Sequence, residues 1–326
     1  MTDHIMGIFQ RNKELLAKLT RAVIYFRECD YEKALELVAE TKEGIRAVTD
    51  AVLAGTQYFE HVSVESVAEM LSGITQAEKK RDYILLADLL ELQVVRFLCN
   101  IQTLIVERED FCAFDEDAYQ KNLEAMKRKI SRSTALFVRD GQERELRIGQ
   151  VLRLLEADLY PEQLLEQGYC VEFTSCGEMT VGVPDIWGET IYLHTNHHVA
   201  QESFLLARSW LLPEAKKYVI FGFGMGYVVR SLLELLPEDA VVVVYENDMN
   251  LLKLACAFTD TGSLLADRRL RVVYDPDCRF IRGALRNKDR ETKVCVHYPS
   301  LCHLVQQESR EMLLDYLPWA RSLEVY

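Results

Sequence analysis

Three glycines at alternate positions, Gly222, Gly224 and Gly226, follow the apolar run Tyr218-Val-Ile-Phe221 and precede a helix-patterned stretch beginning at Tyr227. Glycine reaches the positive φ values that a tight strand-to-helix turn needs, and its missing Cβ lets a ligand approach the backbone. The helix start behind such a turn presents unpaired N–H groups and the positive end of the helix dipole to an anion or a polar cofactor. Nucleotide binding is therefore the chemistry expected of Gly222, Phe223, Gly224, Met225 and Gly226. A second run, Ala240-Val-Val-Val-Val-Tyr-Glu-Asn-Asp248, ends in acids. Its Glu246 stands about twenty residues past the glycines, where such folds place a carboxylate for ribose hydroxyls.

Two further apolar runs end in polar residues, Asp275 with Pro276 and His297 with Tyr298 and Pro299. Ligands of open parallel sheets sit beyond the carboxyl ends of the strands. Asn247, Asp275 and Tyr298 are accordingly expected in the pocket with Glu246, Asp275 or Tyr298 touching the base. The competing expectation is that acids after strands cap the next helix. His194, in the phrase His194-Thr-Asn-His197-His198, is expected to line the same pocket. No carboxylate or cysteine completes these imidazoles at a known ligand spacing, and Cys295, His297, Cys302 and His303 read more simply as strand and helix residues, so no metal is expected. No nucleophile elbow, Walker loop or Cys–His pair marks a catalytic residue.

Spacing also sorts the cofactors. The dinucleotide fingerprint wants a glycine at position 227, which holds Tyr227. The alternating glycines are closer to the turn of S-adenosylmethionine-dependent methyltransferases. Those enzymes usually carry an acid two residues before the first glycine, and Ile220 stands there.

The elements that must carry these residues divide sharply. All seven prolines lie at or after Pro161, and the first 160 residues are rich in helix formers. An all-helical domain is expected over 1–165, with helices from Phe9 to Glu28, from an Asp30 cap onward, from Thr75 to Glu109, and from Asp115 to Leu165 with a break near Asp140-Gly141. Tyr25 to Leu35 echoes one tetratricopeptide hairpin, without a second copy at the required period. The basic Lys127-Arg-Lys129 is expected on a solvated face. Short β-prone runs at Gly168–Thr174, Met179–Val183 and Thr190–His194 predict a small β element over 166–200. A Rossmann-like α/β domain is expected over 201–326, with strands at 218–223, 241–245, 270–274 and 293–297 and a final helix from about Leu301 to Tyr316.

The chain has 326 residues, 49% apolar and 27% charged, with a formal charge of −13. No basic block gathers the Lys/Arg face that phosphate backbones require, which argues against nucleic acid as a partner. No apolar run reaches membrane-spanning length. The nine cysteines form no CxxC pair. Reduced, buried thiols and a cytoplasmic address are expected.

With Ile191-Tyr-Leu-His-Thr195, the Gln201-Glu-Ser helix, Tyr218-Val-Ile-Phe-Gly-Phe-Gly-Met-Gly-Tyr227 and Val243-Val-Tyr-Glu246 in view, the chain resembles the motility-associated factor glycosyltransferase-like family, also labelled hydroxymethylpterin diphosphokinase-like, over about residues 165 to 300. The resemblance implies a link to transfer of nonulosonic sugars from nucleotide donors to flagellin. In that family a Rossmann-like region precedes a separate transferase-type domain. The expectation is thus a nucleotide or nucleotide-sugar binding protein, a fragment or a form lacking the transferase domain, with a protein acceptor such as flagellin as a possible partner. An S-adenosylmethionine-dependent methyltransferase and a non-enzymatic interaction module with a vestigial pocket remain the alternatives.

Overall fold

A computed structural model describes residues 2–55, 57–59, 62–109 and 114–317. The architecture is α followed by α/β: helices fill the first half, and a four-stranded parallel sheet with helices closes the second. Compact packing divides the chain into two units. One comprises 1–111 with the segments 173–178 and 196–202; the other comprises 112–172, 179–195 and 203–326.

The first unit is a bundle of α1 (Thr2–Arg27), α2 (Tyr31–Ala54), α3 (Val64–Lys80), α4 (Tyr83–Leu89) and α5 (Arg96–Arg108). Asp30 caps α2, as expected, its side chain accepting the Lys33 N–H. The single helix expected from Thr75 to Glu109 is instead broken. Arg81 adopts a left-handed conformation, φ 55°, and the Asp82 side chain caps α4 by accepting the Leu85 N–H. A π-helical turn, Leu90–Val95, then joins α4 to α5 and rotates the apolar stripe so that Leu90, Val94, Leu98, Ile101 and Ile105 are all buried. Gln102 is buried among them and is satisfied within the unit. It donates to the carbonyls of Phe9 (3.1 Å) and Cys176 (3.5 Å) and accepts from the Asn12 amide (3.3 Å).

The second unit starts with α6 (Glu116–Phe137), α7 (Gly141–Glu156) and α8 (Pro161–Glu166). The break between α6 and α7 falls at Asp140, whose side chain caps α7 through the Glu143 N–H. The division between units does not follow the expected limit at residue 165, because α6 packs on the sheet. Two side chains of α6 show why. The Asn122 amide donates to the carbonyls of Cys256 (2.9 Å) and Thr259 (3.0 Å), and the Lys129 ammonium donates to those of Asp267 (2.8 Å) and Leu270 (3.1 Å). Lys129 is thus a cap on chain entering the sheet, not part of a solvated face.

A three-stranded sheet follows, ordered β1 (Cys170–Phe173), β2 (Met179–Pro184) and β3 (Thr190–Tyr192), with β2 antiparallel to β3. After α9 (Val199–Trp210) come β4 (Lys217–Phe221), α10 (Tyr227–Leu235), β5 (Val241–Glu246), α11 (Met249–Phe258), α12 (Thr261–Ala266), β6 (Leu270–Tyr274), α13 (Arg279–Arg286) and β7 (Thr292–Val296). The parallel order is β6-β5-β4-β7. The chain steps outward from β4 to β6 and then returns to the other side of β4, so the point where the order reverses lies between β4 and β7.

Alternation along the strands explains the two-sided burial. Val219, Phe221, Val243, Tyr245 and Val273 pack with Ile281, Leu301, Leu304 and Leu313 on one face, while Tyr218, Ile220, Val242, Val244 and Val272 are equally buried on the other. The expected final helix is two pieces, α14 (Tyr298–His303) and α15 (Gln307–Leu314). Leu313 lies nine residues past Leu304, two and a half helical turns, so an unbroken helix would point them in opposite directions. The extended break at Leu304 brings both into the same core.

Candidate functional site

The glycine turn forms as its sequence predicts, with φ of 90°, 55° and 84° at Gly222, Gly224 and Gly226. Its backbone is already engaged. Gly222 donates to the Tyr245 carbonyl (2.9 Å), Phe223 to the Glu246 carboxylate (2.8 Å), Met225 to His194 Nε2 (3.4 Å) and Gly226 to the Phe223 carbonyl (3.0 Å). Phe223 and Met225 turn their side chains into the core. A Cβ at Gly222 would lie 2.5 Å from Ser300, and one at Gly224 would lie 3.3 Å from both His194 and His297. The space expected for a ligand is therefore filled by the chain's own imidazoles and hydroxyl.

Those groups form a buried cluster. The His194 and His297 rings lie 5.3 Å apart, and His194 meets the Tyr227 ring edge-on at 5.1 Å. His297 Nδ1 is 2.7 Å from the Ser300 hydroxyl. Burial lowers the pKa of His297 to about 4, and burial together with His297 lowers that of His194 well below the ordinary histidine value. Both rings are neutral at pH 7. His194 Nε2 accepts from Met225, so Nδ1 carries the proton, and it has no hydrogen-bond partner among the described residues. Tyr227, the residue that departs from the dinucleotide pattern, exchanges hydrogen bonds with the Met179 N–H (3.2 Å) and carbonyl (3.0 Å) at the start of β2.

Glu246 corrects the sequence expectation most directly. Its side chain is fully buried, Oε2 accepts the Phe223 N–H, and Oε1 accepts those of Asn247 (2.9 Å) and Asp248 (3.0 Å). A carboxylate so engaged has no face for ribose hydroxyls. Burial pushes its pKa up to about 7, against the pull of the three backbone donors. Asp275 is likewise a cap: it is buried and accepts the N–H groups of Phe280 (3.1 Å) and Ile281 (2.9 Å) at the start of α13. Tyr298 is exposed on α14 and lies outside the lining of the cleft described next.

Beside the closed turn, at the carboxyl ends of β5 and β6, an open cleft of about 260 Å³ is lined by Asn247, Asp248, Asn250, Tyr274, His303 and Gln306, among others. Of these, Asn247 alone is among the residues that the sequence places in the pocket. One wall is a cluster that no local motif reveals. Asp248 Oδ2 accepts from the Tyr169 hydroxyl (2.5 Å) and from His303 Nε2 (3.0 Å), while His303 Nδ1 faces the Pro184 carbonyl (2.6 Å). Both ring nitrogens of His303 thus face acceptors, an arrangement that requires the imidazolium. Burial works against that charge, but the Asp248 hydrogen bond, the Pro184 carbonyl and the Asp248 charge outweigh it, and the His303 pKa is raised. Tyr169 keeps its proton because burial and Asp248 raise its pKa far above the tyrosine range. The cluster members are 79 and 55 positions apart, so only the fold brings them together.

Residues 9–104, within the N-terminal helices, match a family described as a domain of unknown function (DUF8042). No curated protein and no solved structure matches the chain. Among the described residues, no three His, Cys, Asp or Glu side chains group as metal ligands, eight cysteines are free thiols, and no helix is long and apolar enough to cross a membrane.

Proposed function

We propose that the sheet unit binds a nucleotide or nucleotide-sugar, as the resemblance to motility-associated factor glycosyltransferase-like proteins implies, with base and ribose in the strand-end cleft and not on the glycine turn. The observation that supports this reading is the cleft's position beyond the carboxyl ends of β5 and β6, the ligand-bearing edge of a parallel sheet, although one strand away from the reversal between β4 and β7. Tyr274 supplies a ring for stacking, and Asn247 supplies an amide; those of Asn250 and Gln306 also line the cleft but each spends one N–H within the protein, on Gln167 (3.2 Å) and the Pro276 carbonyl (2.7 Å). A volume of about 260 Å³ is just under the usual range of ligand pockets, so the open cleft would hold the base and ribose in part, with the phosphates extending outward. The proposal is one of binding. Glycosyl transfer, a flagellin-type acceptor held by the helical unit, and a cytoplasmic address accompany it as expectations of the resemblance.

S-adenosylmethionine is less well served, since Ile220 is buried and Glu246 is committed to backbone amides. The interaction-module reading keeps one specific support, the closure of the glycine turn by His194, His297 and Ser300. Isothermal titration of the full chain with CMP, UDP, ATP and S-adenosylmethionine separates the three. Saturable binding of CMP, UDP or ATP supports the proposal, binding of S-adenosylmethionine alone transfers it to methyl transfer, and silence with all four favours the interaction module.

A further inference from the structure

A cavity of about 810 Å³ in the sheet unit lies among α6, α8, β1 and α11, meeting the wall of the cleft at Tyr169, and its size is that of a small-molecule pocket. One wall is aromatic. Phe114 lies 5.5 Å from Tyr119 and 6.3 Å from Phe258, ring centre to ring centre. Tyr160, Leu164 and Leu165 also line it. Phe114, Tyr160 and Leu165 are 38%, 53% and 65% exposed, so large apolar groups converge on one mouth and remain open to water.

The charged lining has one dominant sign. Glu116, Glu156 and Asp158 stand against Lys127, which is itself held by Glu124 (2.7 Å) and Glu156 (3.3 Å), and against Lys253, whose ammonium donates to the Ala157 carbonyl (2.6 Å) beside Asp158. Three carboxylates against two ammoniums leave a net negative charge beside exposed aromatic faces, with Glu116 the carboxylate that neither ammonium pairs with. Aromatic faces attract a cation through their quadrupole, and carboxylates add to that attraction.

We propose that this cavity is a second binding site, for a small organic cation with an apolar or aromatic body: the body lies against Phe114, Tyr119 and Phe258, and the ammonium head lies near Glu116 and Asp158. An anionic or neutral ligand of the same shape would gain the apolar contact but lose the charge term.

Three probes with one body isolate the head group. 4-Phenylbutylamine, 4-phenylbutanol and 4-phenylbutyrate are titrated into the full chain at low salt, with binding read by saturation-transfer NMR. The site as proposed binds the amine at least threefold more tightly than the alcohol and binds the acid most weakly. Leu165→Arg, at an exposed position where the fold tolerates change, places a cation at the mouth and weakens the amine at least threefold; Asp158→Asn narrows the amine's advantage over the alcohol. Equal binding of the three probes overturns the proposal, as does amine binding that Leu165→Arg leaves unchanged in a variant with the wild-type circular dichroism spectrum.

Discussion

The Glu246 carboxylate accepts the Phe223 backbone N–H at 2.8 Å, across 23 residues, and so ties the end of β5 to the glycine turn beside it. Replacing it by Gln puts an amide NH₂ among backbone donors. Glu246→Gln should lower the unfolding free energy by about 2 kcal/mol, the cost of leaving buried donors unmatched. Urea denaturation checks this, and an unchanged midpoint would mean that the turn does not depend on the carboxylate.

Two titrations make alkaline conditions less favourable. The Glu246 pKa is raised to about 7, so the folded state holds a proton that the unfolded chain releases near its ordinary value; that contribution is full below about 4.5 and is lost as pH rises to about 7. His303 is also raised, so its contribution is full below about 6.5 and is lost as pH climbs through the raised value. His194 and His297, which burial holds below the ordinary histidine value, oppose them below about pH 6.5, so the comparison is between variants: wild type should lose more stability than His303→Gln between pH 6.5 and 8.5. His303→Gln should flatten the upper part of the profile and leave the lower part in place.

Gly222 tests whether the turn is shaped for the protein's own packing. An added Cβ would lie 2.5 Å from Ser300 at a backbone φ of 90°. Gly222→Ala should cost more than about 2 kcal/mol, combining strain and overpacking. Ser300→Gly in the same chain should recover the steric share and leave the conformational share. Absence of any loss in the single variant would contradict the packing account.

Tyr227→Phe removes a hydroxyl that serves both backbone groups of Met179. A loss of about 1–2 kcal/mol is expected, together with faster hydrogen exchange at the Met179 amide.

The alternating β/α half is readable because each strand carries a short apolar run that ends in a glycine, an acid or a histidine, and the Gly222–Gly226 turn and Asp140 cap are legible for the same local reason. The site was less so. Glu246 and Asp275 occupy the positions that ligands or caps can equally claim, and only their burial and donors decide between the two. Tyr169, Asp248 and His303 share no spacing pattern. The π-helical turn at Leu90–Val95 and the break after His303 answer to where Leu98 and Leu313 must be buried, which is tertiary information.

The central claim is that a nucleotide-type ligand occupies the cleft beside Asn247, Tyr274 and His303. Val305 borders it and is 78% exposed, so Val305→Trp can fill the cleft with little effect on folding. Titration calorimetry with CMP, UDP and ATP on wild type and Val305→Trp is the direct measurement. The account predicts saturable binding of at least one nucleotide to the wild type and at least a tenfold loss in the variant; no binding to the wild type, or equal binding to both, contradicts it.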